Sequence, residues 1–268
     1  MIYKILKFIQ FLLKIFIGLF SRFIPKKKGL IIFCSDRYNE NSRYVYEYMI
    51  KENIENIFWL SYNKQLTNYL IKQKLPYLSN CLLQIWMLMR ASVVVASGNS
   101  FWDRYGAVSK STKKYCLMHG CGPKVTEYHD DFKITVSKLT QINSFDFVNF
   151  PSAYGAMLGA NIYKLPRDKI VMNGYPRFDQ LFKATNDSYT KIRLELSDYL
   201  NFKISKKTSL CLYTPTFRKY DNNYTFPLEK LEDYNCEKLD IFLKKNNIYL
   251  IYTKHPQTID EGGWEKLE

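Results

Sequence analysis

Short apolar runs alternate along this chain with stretches in which apolar side chains recur every three or four positions. The runs "GLIIFCS" (29–35), "NIFWLS" (56–61), "SVVVASG" (92–98), "KKYCLMHG" (113–120), "FKITVS" (132–137) and "FDFVNFPS" (145–152) read as strands. Between them, "NSRYVYEYMIKEN" (41–53), "KQLTNYLIKQ" (64–73) and "CLLQIWMLMRA" (81–91) read as helices, the first opened by an Asn or Ser cap. This alternation predicts an α/β fold with a parallel sheet covered by helices. A second, shorter pattern follows: helical "YTKIRLELSDYL" (189–200), the strand "KTSLCLYTPTF" (207–217), a polar loop, helical "CEKLDIFLKKN" (236–246) and the strand "NIYLIYTKHP" (247–256). That is one βαβ repeat, fewer strands than a doubly wound domain needs. The expected organisation is therefore 1–28, a surface helix; 29–165, a Rossmann-like domain; and 166–268, the start of a second Rossmann-like domain.

The first 28 residues have a different pattern. On a helical wheel Lys4, Lys7, Gln10, Lys14, Gly18, Ser21 and Arg22 fall within an arc of about 120°, with Ile, Leu, Phe, Tyr and Met elsewhere. Lys14 interrupts the apolar stretch well short of the ~20 residues that cross a bilayer. Pro25 ends the pattern and Lys26, Lys27 and Lys28 add a polybasic stop. Such a segment suits an anionic membrane surface, with cations among head groups and Phe, Leu and Ile at the acyl boundary. The expectation is a peripheral membrane protein facing the cytoplasm.

Charge and cysteine usage narrow the picture. The net charge of +14 invites a nucleic-acid reading, but half of it lies in this N-terminal stretch, which holds seven basic residues and no acid. A basic amphipathic helix without a nucleic-acid motif excludes nucleic acid as the expected partner. The cysteines form no C-x-x-C pair and no zinc-finger spacing with histidine; they are expected to be reduced and buried. No carboxylate cluster or D-x-D stands out. No metal site is therefore predicted, and Mg²⁺ is the one cofactor the chemistry leaves open.

Candidate chemistry gathers where strands end. "KYCLMHGCGPK" places His119 at the tip of an apolar run, where Gly-Cys-Gly-Pro stops strand pairing. "LYTPTFR" sets Thr214, Thr216 and Arg218 after another strand, and "YTKHP" does the same with Lys254 and His255. If the two later strands are parallel neighbours, Arg218, Lys254 and His255 converge on one edge, suited to phosphate or pyrophosphate, with His119 facing them across a cleft. Two of the three histidines thus occupy equivalent strand ends, while His129, among acids in "EYHDDF", reads as a surface residue.

Taken in order, "MHGCGPK", "NGYPRFDQLF", "LYTPTFR" and "YTKHP" resemble the CDP-glycerol glycerophosphotransferase family of teichoic acid synthesis, which has relatives among capsule polymerases. The likeness runs from about Ser97 to Pro256. It implies a GT-B-like pair of Rossmann-type domains and transfer of glycerol phosphate from a CDP-activated donor to a lipid-linked polymer acceptor, with release of CMP. It further implies that His119 takes the acceptor proton and that His255 serves the phosphoryl oxygens or the departing CMP. Arg218 and Lys254 would offset charge there, and Thr214 and Thr216 would orient the phosphate. Gly120, Lys124 and Arg177 join the substrate-binding set, and Tyr175 and Pro176 are expected to be hinge and packing residues. The chain departs from the family in Cys-Gly-Pro after the His-Gly pair, and in stopping soon after "KHP", so the second domain is expected to be truncated. A sugar-nucleotide GT-B glycosyltransferase and a non-catalytic membrane-bound binding subunit are the competing readings.

Overall fold

Among the described residues seven strands, all parallel, form the main sheet in the order β3-β2-β1-β4-β5-β6-β7. They are β1 (Lys27–Phe33), β2 (Ile57–Leu60), β3 (Tyr77–Leu78), β4 (Ala91–Ala96), β5 (Lys113–Cys116), β6 (Phe147–Asn149) and β7 (Ile170–Val171). The protein is seen in a computed structural model that describes residues 2–35, 38–98, 105–120, 142–214, 228 and 231–253. Its chain divides into two compact units, Met1–Lys183 and Ala184–Glu268.

Side chains of β1 and β2 alternate between two cores, as the period of a strand requires. Leu30, Ile32 and Leu60 join Leu88 and Val94 in one cluster; Phe33, Ile57 and Trp59 join Tyr46, Leu66 and Leu70 in another. Helices α2 (Glu40–Lys51) and α3 (Lys64–Lys72) contribute to the second cluster, α4 (Cys81–Arg90) to the first. Both faces are thus covered, which is why these strands read as continuous apolar runs. Phe33 stacks on Trp59 with centroids 5.8 Å apart, and Tyr46 meets Phe33 edge-on at 5.2 Å. A third cluster packs Cys116, Phe145, Val148 and Phe150 beneath α5 (Ala153–Tyr163). A Cβ added at Gly159 would lie 2.0 Å from the Phe150 ring, so only glycine fits there.

Several sequence expectations are changed here. Strands β3 and β7 are two residues each and carry no periodicity to detect. Residues 166–183, assigned from the sequence to the second unit, supply β7 to the first sheet. Asn41 and Ser42 do not cap α2; Asn39 holds that position without a side-chain bond, and the other two lie inside the first turn. Cys34 and Cys116 are buried, but Cys81 and Cys211 are exposed. The "FKITVS" run and His129 lie outside the described residues.

Helix α1 spans Ile2–Phe20 and meets the rest of its unit near its carboxyl end. Ile17 and Ile24 pack on the first core cluster, and Ser21 is fully buried. A Cβ on Gly18 would lie 3.1 Å from the Gly106 carbonyl oxygen, and one on Gly106 (φ +68) only 2.7 Å from that of Lys14. Gly18 and Ser21 of the polar arc thus face protein. Phe8, Phe11, Phe16, Phe20 and Phe23 are exposed, Phe23 to 82%. No helix among the described residues is long and apolar enough to cross a membrane.

In the second unit β8 (Ser209–Tyr213) and β9 (Ile248–Tyr252) pair in parallel, from Ser209 opposite Ile248 to Tyr213 opposite Tyr252. Helix α7 (Asn186–Leu200) opens with a Thr185–Ser188 capping box and α8 (Cys236–Lys245) with an Asn235 cap. The short α6 (Asp179–Phe182) closes the first unit.

Candidate active site at the carboxyl edge of the sheet

The strand order reverses at β1, whose neighbours are β2 and β4. In open parallel sheets the crevice at the carboxyl ends beside such a reversal is where ligands bind. Ser35 lies just beyond β1, Ser97 and Gly98 follow β4, and Leu117, Met118 and His119 follow β5. His119 and Gly120 are exposed. A Cβ on Gly98 would lie 3.3 Å from His119 Nδ1, so glycine leaves the imidazole its place over the end of β4. Met118, immediately before it, has φ +53, a left-handed conformation that side chains other than glycine and asparagine seldom adopt.

Buried polar groups hold this edge together. Asn41 Nδ2 donates to the Leu117 carbonyl at 3.1 Å and to the Met118 carbonyl at 2.7 Å. Its Oδ1 accepts from the Arg177 backbone N–H at 3.3 Å. The Ser42 N–H donates to Ser97 Oγ at 2.8 Å, and the Ser97 N–H donates to Ser35 Oγ at 3.0 Å. The hydroxyls of Ser35 and Ser97 both donate to Ser42 Oγ, at 2.9 and 2.6 Å. The first turn of α2 is thereby bonded to the ends of β1, β4 and β5. Three buried serines and a fully buried asparagine at one strand edge were not singled out from the sequence, because each alone looks like a cap or turn residue. Apart from the Ser35–Ser42 pair, seven positions apart, their partners lie 55 to 136 positions away.

Arg177 lies in the 3-10 turn Pro176–Phe178, its guanidinium over the rings of Tyr175 and Phe178, 5.2 Å from each centroid. Beneath the same edge, burial pushes the Cys116 thiol up to about 12, so it is not a nucleophile near neutral pH. Farther along the edge, Ser61, Thr67, Ser79, Gln84 and Tyr105 line an open polar cavity of about 340 Å³.

The structure brings together His119, Gly120 and the Arg177 backbone in the first unit. In the second it places Thr214 directly after β8, while the Thr253 N–H after β9 donates to the Tyr213 carbonyl at 3.1 Å. Chain leaving β8 and β9 therefore emerges at one edge. Lys124, Thr216, Arg218, Lys254 and His255 lie outside the described residues. No group of three or more metal-ligating side chains occurs among the described residues. Of the basic residues assigned to membrane contact, Lys14, Arg22, Lys27 and Lys28 are exposed, and nothing is described of the Lys4 and Lys7 side chains. Lys27 and Lys28 belong to β1, not to a tail after the helix. The Lys26 ammonium bonds to the Met89 carbonyl, and Lys27 bonds to Asn56; burial lowers the pKa of Lys26.

Residues 17–263 match the model of the CDP-Glycerol:Poly(glycerophosphate) glycerophosphotransferase family. A teichoic acid glycerol-phosphate transferase of Staphylococcus aureus (strain NCTC 8325 / PS 47) is 24% identical, covering 85% of this chain and 61% of that protein. Among solved structures, the wall teichoic acid polymerase TagF superposes with a TM-score of 0.68 at 18% identity, covering 98% of this chain and 66% of that one. UDP-GlcNAc 2-epimerase from Methanocaldococcus jannaschii gives 0.51 at 12% identity, covering 88% and 67%. The structural likenesses establish the parallel α/β fold, and the chain spans less than two thirds of both the teichoic acid transferase and TagF. A model match over most of the chain's length is decisive on descent: this chain belongs to the CDP-Glycerol:Poly(glycerophosphate) glycerophosphotransferase family.

Proposed function

We propose that this chain transfers glycerol phosphate from CDP-glycerol to a hydroxyl of a lipid-linked teichoic acid or capsule polymer, releasing CMP at the cytoplasmic face of a bacterial membrane. The family match over residues 17–263 is the observation that carries this reading. In the reaction the acceptor oxygen bonds to the phosphorus nearest glycerol, and the bond from that phosphorus to the bridging oxygen breaks. CMP leaves with the electron pair. His119 takes the hydroxyl proton: it is exposed just beyond the carboxyl end of β5, and histidine is the side chain that most often serves as a general base. His255 hydrogen-bonds to the phosphoryl oxygens or the departing CMP, and Arg218 and Lys254 offset charge developing there. Thr214 and Thr216 orient the phosphate; Gly120, Lys124 and Arg177 contact substrate.

For membrane attachment, the support is the exposed apolar surface of α1, which displays phenylalanines outward while Gly18 and Ser21 turn toward protein. Each phenylalanine moved from water to the acyl boundary contributes roughly 1.5–3 kcal/mol, and Lys14 and Arg22 add attraction to anionic head groups.

The test is nucleotide release by the purified chain on anionic vesicles carrying a lipid-linked glycerophosphate acceptor. The expected result is CMP from CDP-glycerol and no UDP or GDP from sugar nucleotides. Vesicle binding should fall at least tenfold in Phe16→Ser/Phe20→Ser, with unchanged thermal unfolding. Release of UDP or GDP would reassign the chain to sugar transfer; nucleotide release from none of the donors would contradict catalysis by this chain.

A further inference from the structure

We infer that Asn41 is a positioning residue for catalysis, fixing the His119 imidazole through the two carbonyls that precede it; the inference rests on His119 being the base proposed above. Four observations meet at this side chain. It is fully buried, in the first turn of α2. Both hydrogens of its amide are used, on the Leu117 and Met118 carbonyls at 3.1 and 2.7 Å. Its oxygen accepts the Arg177 N–H at 3.3 Å, so the amide fits one way round: flipped, its oxygen would face two carbonyl oxygens. The residue it grips, Met118, stands at φ +53 without being a glycine.

A left-handed residue of this kind persists only where its surroundings hold it, at about 1–3 kcal/mol of strain. Here the hold is the bond to the Met118 carbonyl, which fixes the peptide plane leading into His119. Released, Met118 relaxes toward φ below zero, and the imidazole turns away from Gly98. The serine network beside it ties Ser42 to the β1 and β4 ends but places no bond on residues 117–119. Asn41 is therefore the side-chain anchor of the His119 backbone, and through the Arg177 amide it sets the Pro176–Phe178 turn from the same atom group.

Asn41→Ala and Asn41→Asp test this, each alone and combined with His119→Ala, in the full chain on acceptor-loaded anionic vesicles. Asp keeps the acceptor for the Arg177 N–H but sets a carboxylate against two carbonyls. The expected result is a kcat about 100-fold lower in both single variants, with KM for CDP-glycerol within threefold and a single cooperative melt, as a misplacement of about 1 Å can produce. In the His119→Ala background either change should lower the residual rate by less than threefold. A loss through general damage would instead repeat in full there and overturn the inference, as would single variants within threefold of wild type. His119→Ala alone, if fully active, removes the base assignment and this inference with it; if inactive beside an active Asn41→Ala, it removes the inference alone. Proton NMR supplies a reading independent of turnover. The His119 ring signal, assigned by its loss in His119→Ala, should move in Asn41→Ala while those of His129 and His255 stay; an unmoved His119 signal overturns the inference.

Discussion

The two units of this chain are built from the same parallel βα pattern yet bury their side chains very differently. In the first, among the described residues, the central strands of a seven-stranded sheet are covered on both faces, and residues such as Leu30, Phe33, Trp59 and Val148 lose all contact with solvent. In the second, two strands pair alone among the described residues, and only Ile204 and Thr208 are buried there, while Leu212, Ile241 and Tyr249 stay exposed. A parallel ladder forms from local hydrogen bonding, but its apolar residues leave water only when neighbouring strands and helices cover both faces. The rigid edge that presents His119 is therefore a property of the larger sheet. In the smaller unit, the described hydrogen-bonded strands stand on little buried surface.

The contrast breaks first at the core. Trp59→Ala should destabilise the first unit by about 3–5 kcal/mol in urea unfolding. Leu212→Ala, on a side chain 62% exposed, should change stability by under ~0.5 kcal/mol. Equal effects would mean that the second unit is as well packed as the first.

A smaller effect probes how α1 is held. Gly106→Ala adds a carbon 2.7 Å from the Lys14 carbonyl oxygen at a φ of +68, and should cost about 1–3 kcal/mol. Limited proteolysis should then cleave within α1 faster than in wild type, with the sheet intact. Unchanged cleavage would remove the Gly18–Gly106 contact as the anchor.

The smallest effect is alkaline. Burial raises the pKa of the Cys116 thiol from 9.0 to about 12 and those of the Tyr38 and Tyr46 hydroxyls well above 10.0. Such groups stay protonated in the folded chain while the unfolded chain ionises, so their contribution is whole below pH 9 and is lost as pH rises toward 12. Cys116→Ala should flatten the fall in melting temperature between pH 9 and 12; an unchanged slope would contradict the burial of this thiol. In the second unit partial burial raises the Tyr252 hydroxyl too.

How far the sequence was legible follows the same contrast. Strands β1, β2 and β4 were visible because burial on both faces demands unbroken apolar runs; β5 and β6 showed through shorter apolar stretches, β5 with Tyr115 still exposed. The two-residue β3 and β7 were not, since two positions carry no period. Parallel pairing of β8 with β9, entertained as a condition for one shared edge, is what the structure shows. The position of His119 just beyond a strand was legible from its setting, an imidazole between an apolar run and Gly-Cys-Gly-Pro. Asn41 was not: it reads as a helix cap, and only the fold reveals that its amide reaches residues 117 and 118. Gly18, too, sat in a polar arc by periodicity, whereas its use is the close approach of Gly106.

The most direct test of the account is CMP release by His119→Ala, with His129→Ala as the control, both folded and bound to acceptor-loaded anionic vesicles. Removal of a general base lowers such rates by about 10²–10⁴-fold, so CMP release should collapse in the first variant and persist in the second. Wild-type release by His119→Ala would contradict the assignment of chemistry to this edge of the sheet.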